Sequence, residues 1–220
     1  MYMNETSNEN SANIFGCSAE DSKSITSVMR SSDLIIIAAS QGISKSTSIV
    51  LKIGADVALD EDKAVAFFSL KLSKNQLMRH MLCLKGGINY QKLNNAELNK
   101  NEWKKLENVA NEIAEAPFYI DDTPNMTATD LRTKACCLKQ EKGLGLIIVD
   151  SLQQLNGPSE NENMDASRQE ILQLLSSLKA VATELEVPVI ASLQLTKSLD
   201  IDSLECYSLE QYADFVKVLN

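Results

Sequence analysis

A lysine and a serine follow an apolar segment near the start of the chain, in the arrangement of a phosphate-binding turn. In the segment DLIIIAASQGISKST, the apolar stretch Leu34–Ala39 predicts a strand that leads through a short loop into a helix. In a P-loop of this layout, backbone N–H groups surround phosphates and the lysine reaches the outer ones. The predicted phosphate cradle comprises Ser40, Gln41, Gly42, Ile43, Ser44, Lys45, Ser46 and Thr47.

The position before the lysine departs from the P-loop pattern, which has glycine there. This chain has Ser44 instead. A Cβ atom crowds the loop and penalises any positive φ that glycine would supply. The sequence therefore predicts a nucleotide-binding fold with an altered phosphate turn.

Two further polar residues end apolar runs later in the chain. Asp150 ends the run LIIVD, and Gln194 lies just past the run PVIAS. Ligands of parallel α/β sheets bind outside the carboxyl ends of the strands, so both are expected near Lys45. Ser46 and Asp150 would hold Mg²⁺, and Gln194 could sense a terminal phosphate. Each signal alone is weak, because such residues are common at helix starts and turns, but the ordered set is more specific.

The elements that position these residues are predicted from alternating strand and helix patterns. Capping boxes at Ser73 and Thr127 start two helices, and Asn99–Glu115 and Ser167–Leu185 are also helical in pattern. This alternation predicts an α/β fold with a mostly parallel sheet flanked by helices. The predicted strands are Leu34–Ala39, Ala64–Leu70, Phe118–Ile120, Leu146–Asp150 and Pro188–Ser192.

Composition predicts one globular domain preceded by a flexible arm. The chain has 220 residues, 44% of them hydrophobic, and residues 1–30 are rich in Ser, Asn and Glu. The net charge of -9 disfavours non-specific nucleic-acid binding. No apolar run is long enough for a membrane span. Five cysteines without a CxxC pair indicate reduced thiols in a cytoplasmic compartment, or an organelle matrix or stroma in a eukaryote. Trp103 is expected to pack against the core.

The stretch from Ser32 to about Asp214 resembles the C-terminal, RecA-like motor domain of DnaB-type replicative DNA helicases. The resemblance runs in order through SDLIIIAAS, FFSLKLSKNQLMRHML, EAPFYIDDTP, LRTKACCLKQEKGLGLIIVDSLQQLNG, SLKAVATELEVPVIASLQL and SLEQYADFV. It implies a RecA-like P-loop NTPase fold over residues 31–220, incomplete at its C-terminus, with ATP and Mg²⁺ as cofactors. The family forms a hexameric ring that hydrolyses ATP between subunits and moves on single-stranded DNA. The resemblance therefore implies ATP and single-stranded DNA as ligands, and either other copies of this chain in a homo-hexamer or the subunits of a helicase ring as protein partners.

By this resemblance, Lys45 and Ser46 match the P-loop lysine and threonine. Asp150 matches the Walker B acid, and Gln194 matches the phosphate-sensing glutamine. Arg168 matches an arginine after Walker B that lies near the DNA channel in the family.

Several positions depart from the family pattern. Where the family has a water-activating glutamate in its FSLE motif, this chain has Lys71, and Cys136-Cys137 replaces a pair of arginines. The loop that reaches DNA has Leu204 in place of its arginine, and the chain stops at Asn220, before the segment expected to carry an arginine finger. Losing a general base costs about 10²–10⁴ in rate. We therefore expect weak or absent hydrolysis in a helicase-like domain; the alternatives are a non-catalytic regulator of a replication complex and a remnant without a selected function.

Overall fold

A computed structural model describes residues 19–39, 45–156, 164–194 and 209–219, with the backbone alone for residues 19–21, 45, 164–168 and 210. Helices and strands alternate along this part of the chain. The strands are β1 Leu34–Ala39, β2 Ala64–Ser69, β3 Phe118–Asp121, β4 Leu144–Asp150, β5 Val189–Gln194 and β6 Phe215–Leu219. The helices are α1 Ala19–Val28, α2 Lys45–Leu59, α3 Lys74–Gly86, α4 Tyr90–Asn94, α5 Lys100–Glu115, α6 Ala128–Lys142, α7 Met164–Leu185 and α8 Leu209–Tyr212, with a 3-10 turn at Leu152–Gln154.

The strands form one parallel sheet in the order β3-β2-β4-β5-β1-β6. Strands β1 and β2 are buried along their whole length because helices cover both faces of the sheet. This arrangement confirms the predicted α/β fold with a parallel sheet flanked by helices. The five predicted strands are present; β1 has the predicted ends, and the ends of the other strands differ from the prediction by at most two residues.

The two faces of the sheet pack into separate hydrophobic layers, as the alternation of side chains along a strand requires. Leu34 and Ile36 of β1 pack in one layer with apolar residues of α6 and α7. Ile35 and Ile37 point to the other face and pack with residues of α2, α3 and α5. The sheet is thereby held rigidly between helices, which fixes where its strand ends lie.

Local capping signals predicted the helix starts correctly. The side chains of Ser73 and Thr127 cap α3 and α6 in complete capping boxes, and Asn99 does the same for α5. Gly143, in the left-handed conformation, ends α6.

The predicted arm is too long, since its last third belongs to the fold. Helix α1 lies within residues 1–30 and contacts α2. Its Ile25 is fully buried, and burial of that side chain offsets part of the entropy of ordering the helix. Residues 1–18 lie outside the described residues.

Two further expectations were wrong or incomplete. Trp103 is 50% exposed, because α5 turns Leu106 and Ile113 inward and leaves Trp103 at the margin of that contact. Strand β6 was not predicted; it pairs with β1 from Ile35 opposite Phe215 onward and forms an edge of the sheet. Within the described ranges, no helix is both long and apolar enough to cross a membrane.

Candidate nucleotide site

The described residues that were predicted to bind nucleotide lie along one edge of the sheet, where the parallel strands β1, β2, β4 and β5 all end. Strand pairing places Ser69 beside Asp150 and Ala39 beside Gln194. The carboxyl ends of these strands therefore face the same side, and the start of α2 follows β1 there. This edge is where ligands bind in open parallel sheets.

The start of α2 lies where the phosphate turn was predicted. The helix begins at Lys45, while residues 40–44 and the side chain of Lys45 lie outside the described residues. The serine and threonine that follow, Ser46 and Thr47, are 6% and 4% exposed. A helix of this length that begins at a strand end presents free backbone N–H groups and the positive end of its dipole.

Asp150 is the buried acid of the site. It ends β4, is 1% exposed, and accepts hydrogen bonds from the hydroxyl of Thr47 at 2.8 Å and from the hydroxyl of Ser192 at 2.5 Å. Burial raises the pKa of Asp150; the two hydroxyl donors and the charge of Lys71 oppose that rise without cancelling it. The carboxylate is thus desolvated but satisfied on both oxygens.

The contact between Thr47 and Asp150 was not predicted. From the sequence, the hydroxyl expected to hold Mg²⁺ was that of Ser46, one residue before Thr47. In the structure both residues are buried, and Thr47 is the one whose hydroxyl reaches the acid. Ser192, a fully buried hydroxyl on β5, was also missed; a serine inside the apolar run PVIASL was the available signal.

Lys71 lies just past β2 and extends across the end of β4. Its Nζ atom is 3.4 Å from Oε1 of Gln194, the residue that ends β5. The backbone N–H of Leu70 donates to the carbonyl oxygen of Asp150 at 2.7 Å, which holds the start of the Lys71 segment against β4. An ammonium has three N–H donors and no acceptor, so Lys71 in its charged form cannot take a proton from water.

Gln194 is held in place by a second glutamine that the sequence analysis did not single out. Nε2 of Gln153, in the 3-10 turn after β4, donates to the backbone carbonyl oxygen of Gln194 at 2.6 Å. Among the residues that the structure describes, Oε1 of Gln153 is buried and has no hydrogen-bond partner. The ends of β4 and β5 are thereby tied to each other, beside the side chains of Asp150 and Lys71.

The donor set fits magnesium better than a transition metal. Within the described ranges, no three His, Cys, Asp or Glu residues lie close enough together to hold a metal ion. Asp150 offers one carboxylate, with the Ser46 and Thr47 hydroxyls as further oxygen donors. Mg²⁺ is commonly held by one or two protein oxygens together with substrate phosphates and water.

The residues predicted to contact DNA are only partly described. Arg168 lies on α7, and its side chain is outside the described residues, as are residues 157–163 and the loop that contains Leu204. Cys136 and Cys137 lie on α6, and Cys137 is exposed. This helix face therefore presents thiols where the resemblance implies guanidinium groups.

Comparison with known proteins agrees with this architecture. The family model for the DnaB-like helicase C terminal domain matches residues 18–219. A replicative DNA helicase DnaB of Geobacillus stearothermophilus is 41% identical over 204 residues, which cover 89% of this chain and 44% of that protein. The replicative DNA helicase DnaC of Bacillus subtilis (strain 168) is 38% identical, with the same coverage of 89% and 44%. The chain thus spans less than half the length of these relatives.

Solved structures confirm the RecA-like fold. An ATPase domain superposes with a TM-score of 0.74 and 25% identity over 87% of this chain and 70% of that one. A structure described as a DnaB-like replicative helicase and its interactions with primase also gives a TM-score of 0.74 at 25% identity, over 87% of this chain and 48% of that one. The order of the sheet, the buried acid at the end of β4 and the family match over residues 18–219 agree. This chain belongs to the DnaB-like helicase C-terminal domain family.

Proposed function

We propose that this chain binds ATP with Mg²⁺ as the RecA-like domain of a replicative-helicase-type assembly, and that it hydrolyses ATP weakly or not at all. The observation that carries this proposal is Lys71, whose ammonium lies 3.4 Å from Gln194 at the strand ends. The resemblance implies a water-activating carboxylate at position 71. A cation at position 71 is compatible with nucleotide binding, but it cannot act as the base that activates water.

Nucleotide binding rests on the residues at the start of α2 and the end of β4. The P-loop residues 40–47 would surround the phosphates, with Lys45 on the outer ones. Asp150 and the hydroxyl of Ser46 or Thr47 would hold the metal ion, directly or through water. Bound Mg²⁺ would neutralise charge that develops on the phosphate oxygens. Gln194 lies where its amide could contact a terminal phosphate, and its contact with Lys71 ties these two groups together.

Weak turnover follows from the change in proton chemistry. A carboxylate can accept a proton from the attacking water, whereas an ammonium can only donate. Removing such a base typically lowers the rate by about 10²–10⁴. Ser44 adds a Cβ to the turn that precedes Lys45, which weakens phosphate contacts further.

The partners in this proposal are other ring subunits and single-stranded DNA. Its relatives are replicative helicases, and the chain aligns with less than half of their length. The net charge of -9 and the cysteines on α6 favour weak DNA binding, because phosphate contacts depend on lysine and arginine.

The same observations favour a second function, a non-hydrolysing subunit or regulator of a helicase ring. A domain that binds nucleotide without turnover can stabilise an assembly without moving it. The acidic surface fits contacts with basic proteins better than contacts with DNA.

The decisive experiment compares binding with turnover in the same preparation. Thermal unfolding with and without Mg²⁺-ATP reports binding, and phosphate release with and without single-stranded DNA reports turnover. At ligand concentrations about 100 times Kd, binding stabilises by about 2.7 kcal/mol, or roughly 5–10 °C for a domain of this size. We expect such a shift in the wild type, its loss in Lys45→Ala, and little phosphate release.

Restoring the family residues tests whether the lost base limits turnover. The double change Lys71→Glu with Ser44→Gly should increase phosphate release if the lost base limits turnover. Rapid, DNA-stimulated release by the wild type would contradict the proposed loss of hydrolysis. The absence of any nucleotide-dependent shift would contradict nucleotide binding itself.

A further inference from the structure

Lys71 introduces a fixed positive charge on the metal side of the candidate site. We infer that its ammonium takes over part of the charge neutralisation that Mg²⁺ provides, so that the site binds a nucleoside triphosphate with little dependence on divalent ions. This inference rests on the proposed nucleotide binding and specifies how the bound anion is neutralised.

The position of Lys71 follows from strand pairing. Strands β2 and β4 are neighbours, and Ser69 at the end of β2 pairs with Asp150 at the end of β4. The N–H of Leu70 donates to the carbonyl oxygen of Asp150 at 2.7 Å, so the chain is still held against β4 one residue before Lys71. The side chain of Lys71 then extends over the end of β4 to Gln194 on β5. Its ammonium therefore lies over the strand that carries the buried acid.

Gln194 has a backbone that is held in place, and its side chain accepts from only one of the three N–H donors of the ammonium. The backbone of Gln194 is fixed by the 2.6 Å hydrogen bond from Gln153. Lys71 Nζ is 3.4 Å from the Gln194 side chain, which is a long hydrogen bond. An ammonium has three donors, and in the part of the chain that the structure describes only this one acceptor is in range. Donors thus remain for phosphate oxygens arriving at this edge of the sheet.

The same ammonium competes with a metal ion. Asp150 already receives two hydroxyl hydrogen bonds and interacts favourably with the charge of Lys71. A divalent cation at this carboxylate would be repelled by the neighbouring ammonium, and that repulsion is strong where water is scarce. Lys71 therefore lowers the affinity for Mg²⁺ while it attracts the polyphosphate directly.

The test is isothermal titration of a non-hydrolysable ATP analogue into the full chain, once with excess Mg²⁺ and once with EDTA. The variants are Lys71→Met, which keeps most of the length of the side chain and removes the charge, and Lys71→Glu, which reverses the charge. Lys74→Met is the matched control, because Lys74 is an exposed lysine at the start of α3. Unfolding curves of all four proteins establish that each is folded.

We expect the Kd of the wild type and of Lys74→Met to change by less than about threefold between Mg²⁺ and EDTA. The Kd of Lys71→Glu should weaken by about tenfold or more in EDTA, with Lys71→Met between them. If the wild type depends on Mg²⁺ as strongly as Lys71→Glu, the inference is wrong although nucleotide binding stands. If none of the folded proteins binds the analogue under either condition, the proposed function fails as well.

Discussion

The hydroxyl of Thr47 donates a 2.8 Å hydrogen bond to Oδ2 of Asp150, and so joins the start of α2 to the end of β4 across 103 positions of the chain. Both residues are buried, with 4% and 1% of their surfaces exposed. A hydrogen bond to a charged group in such surroundings contributes more than one in water. This contact fixes the distance between the phosphate turn and the acid of the candidate metal site.

Replacing Thr47 by valine tests that contact. Thr47→Val keeps the shape of the side chain and leaves one Asp150 oxygen short of a donor, so we expect a loss of about 1–3 kcal/mol in the free energy of unfolding. Urea denaturation measures this loss. Thr47→Ser retains the hydroxyl and should lose much less. Equal stability of Thr47→Val and wild type would show that the hydrogen bond contributes nothing.

Replacing Asp150 by asparagine should stabilise the domain at neutral pH while it weakens the candidate metal site. The pKa of Asp150 is raised by burial, so the folded state disfavours the charged form. The resulting penalty is absent below the unfolded pKa of about 3.9 and complete above the folded pKa. The neighbouring hydroxyls of Thr47 and Ser192 can rotate to accept from the amide. We expect Asp150→Asn to unfold about 2–4 °C higher at pH 7, equivalent to about 1 kcal/mol.

A series of melting temperatures from pH 4 to pH 8 checks the sign for Asp150. The difference between Asp150→Asn and wild type should grow as pH rises through the folded pKa and shrink toward acid. A variant that is less stable than wild type at pH 7 would mean that the contacts of the ionised carboxylate outweigh its desolvation.

Asp214 should show the opposite pH dependence. Its Oδ2 accepts from the N–H of Leu34 at 2.7 Å and from Lys179 at 2.6 Å, and thereby ties the start of β6 to β1 and α7. Burial alone would raise the pKa of Asp214, but the hydrogen bonds from Lys179 and Leu34 outweigh it and lower the pKa. This stability is therefore present above the unfolded pKa and is lost as pH falls through the folded pKa.

For Asp214→Asn we expect a loss of about 0.5–1 kcal/mol at pH 7, small because both ion-pair partners are a third or more exposed. Amide hydrogen exchange should increase first in β6. The loss should begin to fade below about pH 4, where the unfolded carboxyl is protonated, and should disappear as pH falls through the lowered pKa of the folded wild-type carboxyl. A pH-independent difference would assign the effect to shape and not to charge.

Gly54 allows α2 to approach the sheet closely. A Cβ atom built on it lies 2.8 Å from Cδ1 of Ile148 and 3.0 Å from Cε2 of Phe118. Overpacking of this kind costs about 1–3 kcal/mol, against a gain in helix propensity of up to about 1 kcal/mol. Gly54→Ala should therefore lower the free energy of unfolding by about 1 kcal/mol.

A double mutant identifies the clash at Gly54. Ile148→Val removes the nearest methyl group, so the combination with Gly54→Ala should be less destabilised than the sum of the single changes. Additive losses would locate the clash elsewhere, for example at the ring of Phe118.

The sequence by itself determined five of the six described strands and most of the helices, in their order along the chain. Apolar runs such as Leu34–Ala39 and the capping boxes at Ser73 and Thr127 are local features, because burial on both faces and end-capping need only neighbouring residues. It also placed Asp150 and Gln194 correctly at strand ends, since a change from apolar to polar residues marks that boundary.

The tertiary structure decided which side chains meet. Strand β6 exists through its pairing with β1, and α1 packs on the rest of the fold with Ile25 buried in the core. The partners of Asp150 are Thr47 and Ser192, and the partner of Lys71 is Gln194, 123 positions away. Residues this far apart in the chain meet only when the sheet forms, because the order β2-β4-β5-β1 brings four separate strand ends to one edge.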